Sequence, residues 1–187
     1  GTFVPGNGDH TVTGNWTESG GTFTAFAGKF TFNGVGSTIT TDAAGGNKFY
    51  NLSINPGGGN TVSAGSVLDI DGDLEVTTGT MDMDGFDANV ARFTYIDGTL
   101  LVGNEFTSGI QTVVDVVAGK ITIDGGTYNA NLLNCLGTLE FLNVGGILNI
   151  FGDNPIISGT FTRGTGKVVY TRTFGTQVIL SLIHISE

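Results

Sequence analysis

The sequence predicts an all-β chain wound as a single-stranded parallel β-helix, a β-solenoid with about 20 residues per coil. Three observations carry that expectation. The composition favours corners and strands, with 32 glycines and 3 prolines in 187 residues. A short glycine-led strand pattern recurs along the chain. A second offset, of seven residues, recurs inside the first.

Taken in chain order, "GTFTAFAGKFTFNG" at 21–34 gives Gly21 and Gly28, each leading a strand-like run. "GNTVS" follows from Gly59 with its apolar residue shifted by one. Then come "GTMDM" from Gly79, "GTLLV" from Gly98, "GKITI" from Gly119, "GTLEF" from Gly137 and "GTFTR" from Gly159, at steps of 19, 21, 18 and 22. The four from Gly79 to Gly137 read glycine, a polar residue, then apolar–any–apolar, the period-2 pattern of a half-buried strand, and "GTFTR" keeps it as far as Phe161. Seven residues after Gly21, Gly119 and Gly159 the pattern recurs as "GKFTF", "GTYNA" and "GKVVY". A short strand, a tight corner and another strand produce that offset. Further runs such as "SVLDI", "QTVVDV" and "GILNIF" fall between these marks, so each period holds two or three strands.

One coil cannot bury its own inward side chains; neighbouring coils must do so, at about 4.8 Å spacing. In this register Met81, Leu100, Ile121, Leu139 and Phe161 should form one internal column, and Met83, Val102, Ile123 and Phe141 the next. Right-handed winding is expected. Residues 1–180 read as one continuous solenoid of eight or nine coils, a rod of about 40 Å. "GTFTRGTGKVVYTR" at 159–172 nearly repeats 21–34, which suggests the same coil at the start of two successive long units. The tail "SLIHISE" at 181–187 resembles the translation of a sequencing adapter and is set aside as non-native, with the second unit cut short. The chain opens at Gly1 without methionine, which is expected of a processed chain, a removed export signal included, of a trimmed one or of a fragment.

Charge narrows the partners. Seven bases against 17 acids give a net charge of −10, and the bases are scattered, so a phosphate backbone finds no basic stripe. No run of 18 apolar residues spans a membrane, and membrane insertion is not expected. The single Cys135 makes no internal disulfide and is expected to be free and buried.

Residues 14–86, with "GNWT", "GTFT", "FNG" and "FYNLSIN", resemble repeats of very large secreted bacterial surface proteins, similar to filamentous haemagglutinin and autotransporter-passenger β-helices. The resemblance implies extracellular or cell-surface display in an adhesive or scaffold role, with no catalytic residues to transfer. Neither end shows a polar helix or Pro-rich cap, so neighbouring solenoid units stacked end to end are expected partners, and cell-surface glycans are a further candidate.

No enzyme is expected. Paired DD and GHG signatures are missing, and His10 is the only histidine outside the tail, so neither a triad nor a lyase-type site assembles from sequence. The strongest local feature is "DIDGDLEV" followed by "MDMDGFD". Asp69, Asp71, Asp73, Asp82, Asp84 and Asp87, with Glu75 and Asp97 nearby, are candidate Ca²⁺ ligands, because hard cations favour clustered carboxylates. Alternation would put Asp69, Asp71 and Asp73 on one face, and Asp82 with Asp84 on one face. The EF-hand pattern fails, since its sixth and twelfth positions hold Leu74 and Thr80, and the bland reading is outward acids with "DG" corners. The threonine pairs at 11–13, 22–24 and 38–40 suggest an ice-binding ladder only if they share a face. Trp16 and Phe26 could stack on sugars, although corner packing is the expected role for Trp16. The alternatives to a stiff structural rod are therefore a carbohydrate-binding or polysaccharide-degrading β-helix and a self-assembling filament subunit.

Overall fold

The computed structural model describes residues 1–42, 46–115, 117–142, 145–153, 155–162 and 164–171, so the tail at 181–187 lies outside the described residues. Among them every paired strand runs parallel to its neighbour and no helix occurs. The chain is an all-β parallel solenoid, and each coil lays one strand, or a strand-like residue pair, on each of three faces.

Face A carries Thr2–Phe3, Thr22–Phe23, Leu68–Ile70, Ala88–Val90, the first half of Glu105–Val114, the first half of Thr127–Cys135, Ile147–Ile150 and Lys167–Tyr170. In coil 3 it is continued by the bridging residues Lys48 and Phe49. Face B carries His10–Val12, Lys29–Phe32, Asn51–Ile54, Leu74–Val76, Phe93–Ile96, the second halves of the two long strands, and Ile156–Ile157. Face C is an eight-stranded sheet of Trp16–Thr17, Ser37–Thr40, Thr61–Ala64, Thr80–Asp82, Thr99–Val102, Lys120–Ile123, Thr138–Phe141 and Thr160–Thr162. Coils are 18 to 25 residues apart in register on this face, from Ile121 opposite Leu139 to Ser37 opposite Val62.

The expected columns are present. Met81, Leu100, Ile121, Leu139 and Phe161 are consecutive partners on face C, and the column extends upstream through Val62 to Ser37. Val102, Ile123 and Phe141 form the second, and the Met83 N–H bonds Leu101 O, in line with it. All but Phe161 are buried, and Phe161 packs against the core from the last complete coil. Each such aliphatic side chain removed from water contributes roughly 1.5–3 kcal/mol before entropy is counted. Faces A and B add parallel columns, including Phe30–Leu52–Leu74 and Leu68–Ala88–Phe106–Tyr128. Near the first coil an aromatic cluster fills the interior, with Trp16 edge-on to Phe23 and Phe30 at ring-centroid distances of 5.1 and 5.4 Å.

The near-duplicate stretches are not the same coil. Gly21 and Gly28 lead strands on faces A and B, whereas Gly159 and Gly166 lead strands on faces C and A. Between Gly21 and Gly159 the chain completes six coils and two further faces. The offset of seven measures one face plus one corner, and that local unit carries no mark of which face it occupies.

Entry to face C requires glycine for a different reason. A β-carbon at Gly137 would run into the carbonyl oxygens of Asp115 and Gly119, and one at Gly159 into Gly137 O. Backbones of successive coils touch there, and a side chain would hold them apart.

Candidate functional site

The acidic stretch was the one place where the sequence concentrated chemistry, and its geometry follows from where coil 4 turns. Leu68–Ile70 lies on face A, Leu74–Val76 on face B and Thr80–Asp82 on face C. From Asp69 to Asp84 the chain therefore travels most of the way around the solenoid. The acids form a belt rather than a cluster.

This corrects the expected sharing of faces. Asp69 points outward on face A, where its Oδ1 accepts a bond from Asn89 Nδ2 at 3.1 Å. The strand ends at Ile70, so Asp71 sits at the A–B corner and pairs with Lys48 at 3.2 Å. Asp73 leads into face B, where its Oδ1 accepts from Phe93 N at 3.2 Å and lies 3.7 Å from Arg92 Nε. Glu75, outward on face B, meets Lys29 at 3.5 Å. Asp82 ends the face C strand, and its Oδ1 accepts from Asp84 N at 2.9 Å. Asp84 has left the strand: its φ of 45° and that of 78° at Gly85 make an Asp–Gly corner of the left-handed kind. Asp87 accepts from Glu105 N at 3.1 Å, one coil on.

Among the described residues no three His, Cys, Asp or Glu side chains gather as a metal centre would need. Oxygen-rich cation sites take six to eight ligands converging on one point. The belt instead spends its carboxylates on backbone N–H groups, on Asn89 and on the scattered bases.

Asp69 does belong to an ordered feature that sequence reasoning missed. Outward on face A, Asp69, Asn89, Thr107, Asn129 and Asn149 are successive register partners. Asn149 Nδ2 donates to Asn129 Oδ1 at 2.8 Å, and Asn129 Nδ2 donates to Glu105 Oε1 at 2.8 Å and Thr107 Oγ1 at 3.3 Å. The signal was available: each of these residues sits between two inward apolar or small residues at solenoid spacing. These bonds tie Asp69 to Asn89 and Thr107 to Asn129 and Asn149 along the axis, and so brace face A.

The remaining candidates also find places. Cys135 is buried on face B, where burial pushes its thiol up to about 11 and favours the neutral form. The His10 ring lies tilted against Phe30, with ring centroids 4.8 Å apart. Trp16 turns inward to the aromatic cluster from a face C strand rather than packing at a corner, whereas Phe26 is 49 % exposed. The three threonine pairs start from three different faces, with Thr11 on face B, Thr22 on face A and Thr38 on face C, so they make no common ladder. An open groove at the first coil is lined by Phe3, Trp16, Glu18 and Thr22. There Glu18 bonds Asn47 Nδ2, and burial holds its carboxyl above the usual range. The described side chains thus build ladders, corners and ion pairs around a closed core. Comparison of the chain with profiles of known families, with curated proteins and with solved structures finds no match.

Proposed function

We propose that this chain is a structural or adhesive segment of a secreted or cell-surface protein, acting as a stiff rod that carries its outward faces away from an anchor. The observation that carries the reading is the unbroken axial stacking: eight strands on face C in continuous register, with inward columns closed beneath them. At about 4.8 Å per coil the stack is roughly 40 Å long. Its resemblance to repeats of large bacterial surface proteins supports the extracellular setting. The reading assigns no reaction and no cofactor to the chain.

Antibody raised against the folded chain should label intact, unpermeabilised cells of the organism that encodes it, and labelling only after permeabilisation would overturn the surface setting. For the rod itself, pulling the two ends apart in a single-molecule trap should release coils successively, each adding about 70 Å of extended chain for some 20 residues. One whole-molecule rupture at low force would refute it.

A further inference from the structure

Outward side chains on face B change character halfway along the rod. In coils 2 to 4 they are polar, with Lys29, Asn51 and Asp73 in one row and Thr31, Ser53 and Glu75 in the other. From coil 5 onward five of the seven are apolar, with Phe93, Gln111 and Leu132 in one row and Tyr95, Val113, Asn134 and Ile156 in the other, and Ile110 at the adjoining corner. Tyr95, Ile110 and Ile156 are 40, 44 and 52 % exposed. The rings of Phe93 and Tyr95 stack at 5.8 Å, and the Arg92 guanidinium lies 5.9 Å from the Phe93 centroid. Apolar side chains on neighbouring outward positions, beside rows that are polar upstream, offer a small surface for an interaction partner.

Size and charge select the occupant. Four strands about 4.8 Å apart and some four residues wide cover roughly 200–250 Å². A stable protein–protein interface needs about 800 Å² on each side, so the patch is too small to hold two copies of this chain together. Two copies would also each bring a net charge of −10. At the B–C corner beside the patch Asp97 and Asp115 stand one coil apart, each following a register partner, Ile96 and Val114. A glycan would find hydrogen-bonding groups at Gln111 and Asn134 as well as around Phe93, but a neutral sugar leaves the two carboxylates without a counter-charge, whereas a basic segment supplies one.

We propose that the outward surface of face B in coils 5 to 8 docks a short cationic polypeptide segment, its apolar side chains lying on Tyr95, Val113, Leu132 and Ile156 and its basic groups reaching Asp97 and Asp115. The proposal does not depend on the surface setting of the rod.

Amide spectra of the isotopically labelled whole chain, titrated with the peptide Lys-Phe-Lys-Val-Lys-Phe and separately with Glu-Phe-Glu-Val-Glu-Phe, test it. The basic peptide should perturb Phe93, Tyr95, Val113 and Leu132 and bind at least tenfold more tightly than the acidic one. Tyr95→Ser with Leu132→Ser should weaken it at least tenfold, and Asp97→Asn with Asp115→Asn about threefold. These positions face outward, so the rest of the spectrum should persist, and Ile156→Ser alone provides a second variant should the double one unfold. Perturbations centred on the coil 4 acids, equal binding of the two peptides, or unchanged binding by the serine variants would overturn it. So would stronger perturbation of the same residues by cellohexaose, or a concentration-dependent dimer that covers them, which would make the occupant a glycan or a second copy.

Discussion

The Tyr128 hydroxyl meets Thr112 Oγ1 at 2.8 Å inside the solenoid, face A reaching across to face B, with both residues fully enclosed. Thr94 Oγ1 donates to Ser108 Oγ at 3.1 Å beside them, and the Tyr128 ring stacks on Phe106 at 5.0 Å. Coils 5 to 7 therefore enclose a small polar knot within an otherwise apolar interior. Its cost is small only while every member keeps a partner.

Tyr128→Phe should destabilise the chain by about 1–2 kcal/mol in urea melts, because Thr112 loses its partner in a dry site. Thr112→Val combined with Tyr128→Phe should cost less than the sum of the two single changes. Strict additivity would mean the hydroxyl contact carries no coupling.

Inward and outward positions of one strand should separate sharply. Leu100→Ala opens a cavity between Met81 and Ile121 and should cost about 3 kcal/mol, whereas Thr99→Ala, beside it but facing outward, should stay within about 0.5 kcal/mol. Chemical denaturation of both variants checks the inward assignment.

Gly137→Ala should destabilise by about 2 kcal/mol or more, since its β-carbon would meet carbonyl oxygens of two neighbouring backbone segments. Gly58→Ala, where an added β-carbon meets nothing within 4 Å, should be neutral or slightly stabilising. Equal melting temperatures for the two variants would show that the coils do not touch at face C entry.

Alkaline pH should weaken the fold in a defined window. Burial raises the Cys135 thiol from 9.0 to about 11, so the folded state favours the neutral thiol. Its contribution is whole below pH 9 and fades as pH rises to 11, a loss of about 2–3 kcal/mol. Burial raises Tyr128 as well, and its contribution erodes in the same direction at higher pH. Stability measured at pH 8 and pH 11 should show the fall, and Cys135→Ala should flatten its lower part.

Millimolar calcium should leave the melting temperature unchanged, because the aspartates are dispersed around coil 4 and bonded to N–H groups, Asn89 and bases. A rise of several degrees that is lost in Asp82→Asn or Asp87→Asn would restore the cation site.

The periodic part of this architecture was legible because burial repeats with it. Leu100 and Ile121 lie on top of one another for the same reason that both follow Gly–polar by one residue. The phase of a strand was not legible, because Gly21 and Gly159 begin the same local unit on different faces and only long-range pairing tells them apart. Asp71 and Asp84 were misplaced because alternation holds only while the strand lasts, and corners at Gly72 and Gly85 end it. Thr94, Thr112 and Tyr128 were invisible as a group, since threonine serves equally well outside a strand and within it. Their meeting depends on the width of the interior.

The uniform register of face C has a consequence for how the molecule comes apart. Each coil pairs its backbone only with the coil before it and the coil after it, so its persistence depends chiefly on those neighbours rather than on the whole. Opening then propagates from an end like a fraying rope, one loop at a time, while the central coils stay closed longest. Such an object yields gradually to heat, to proteases and to load, and a break near one end leaves the remainder still wound.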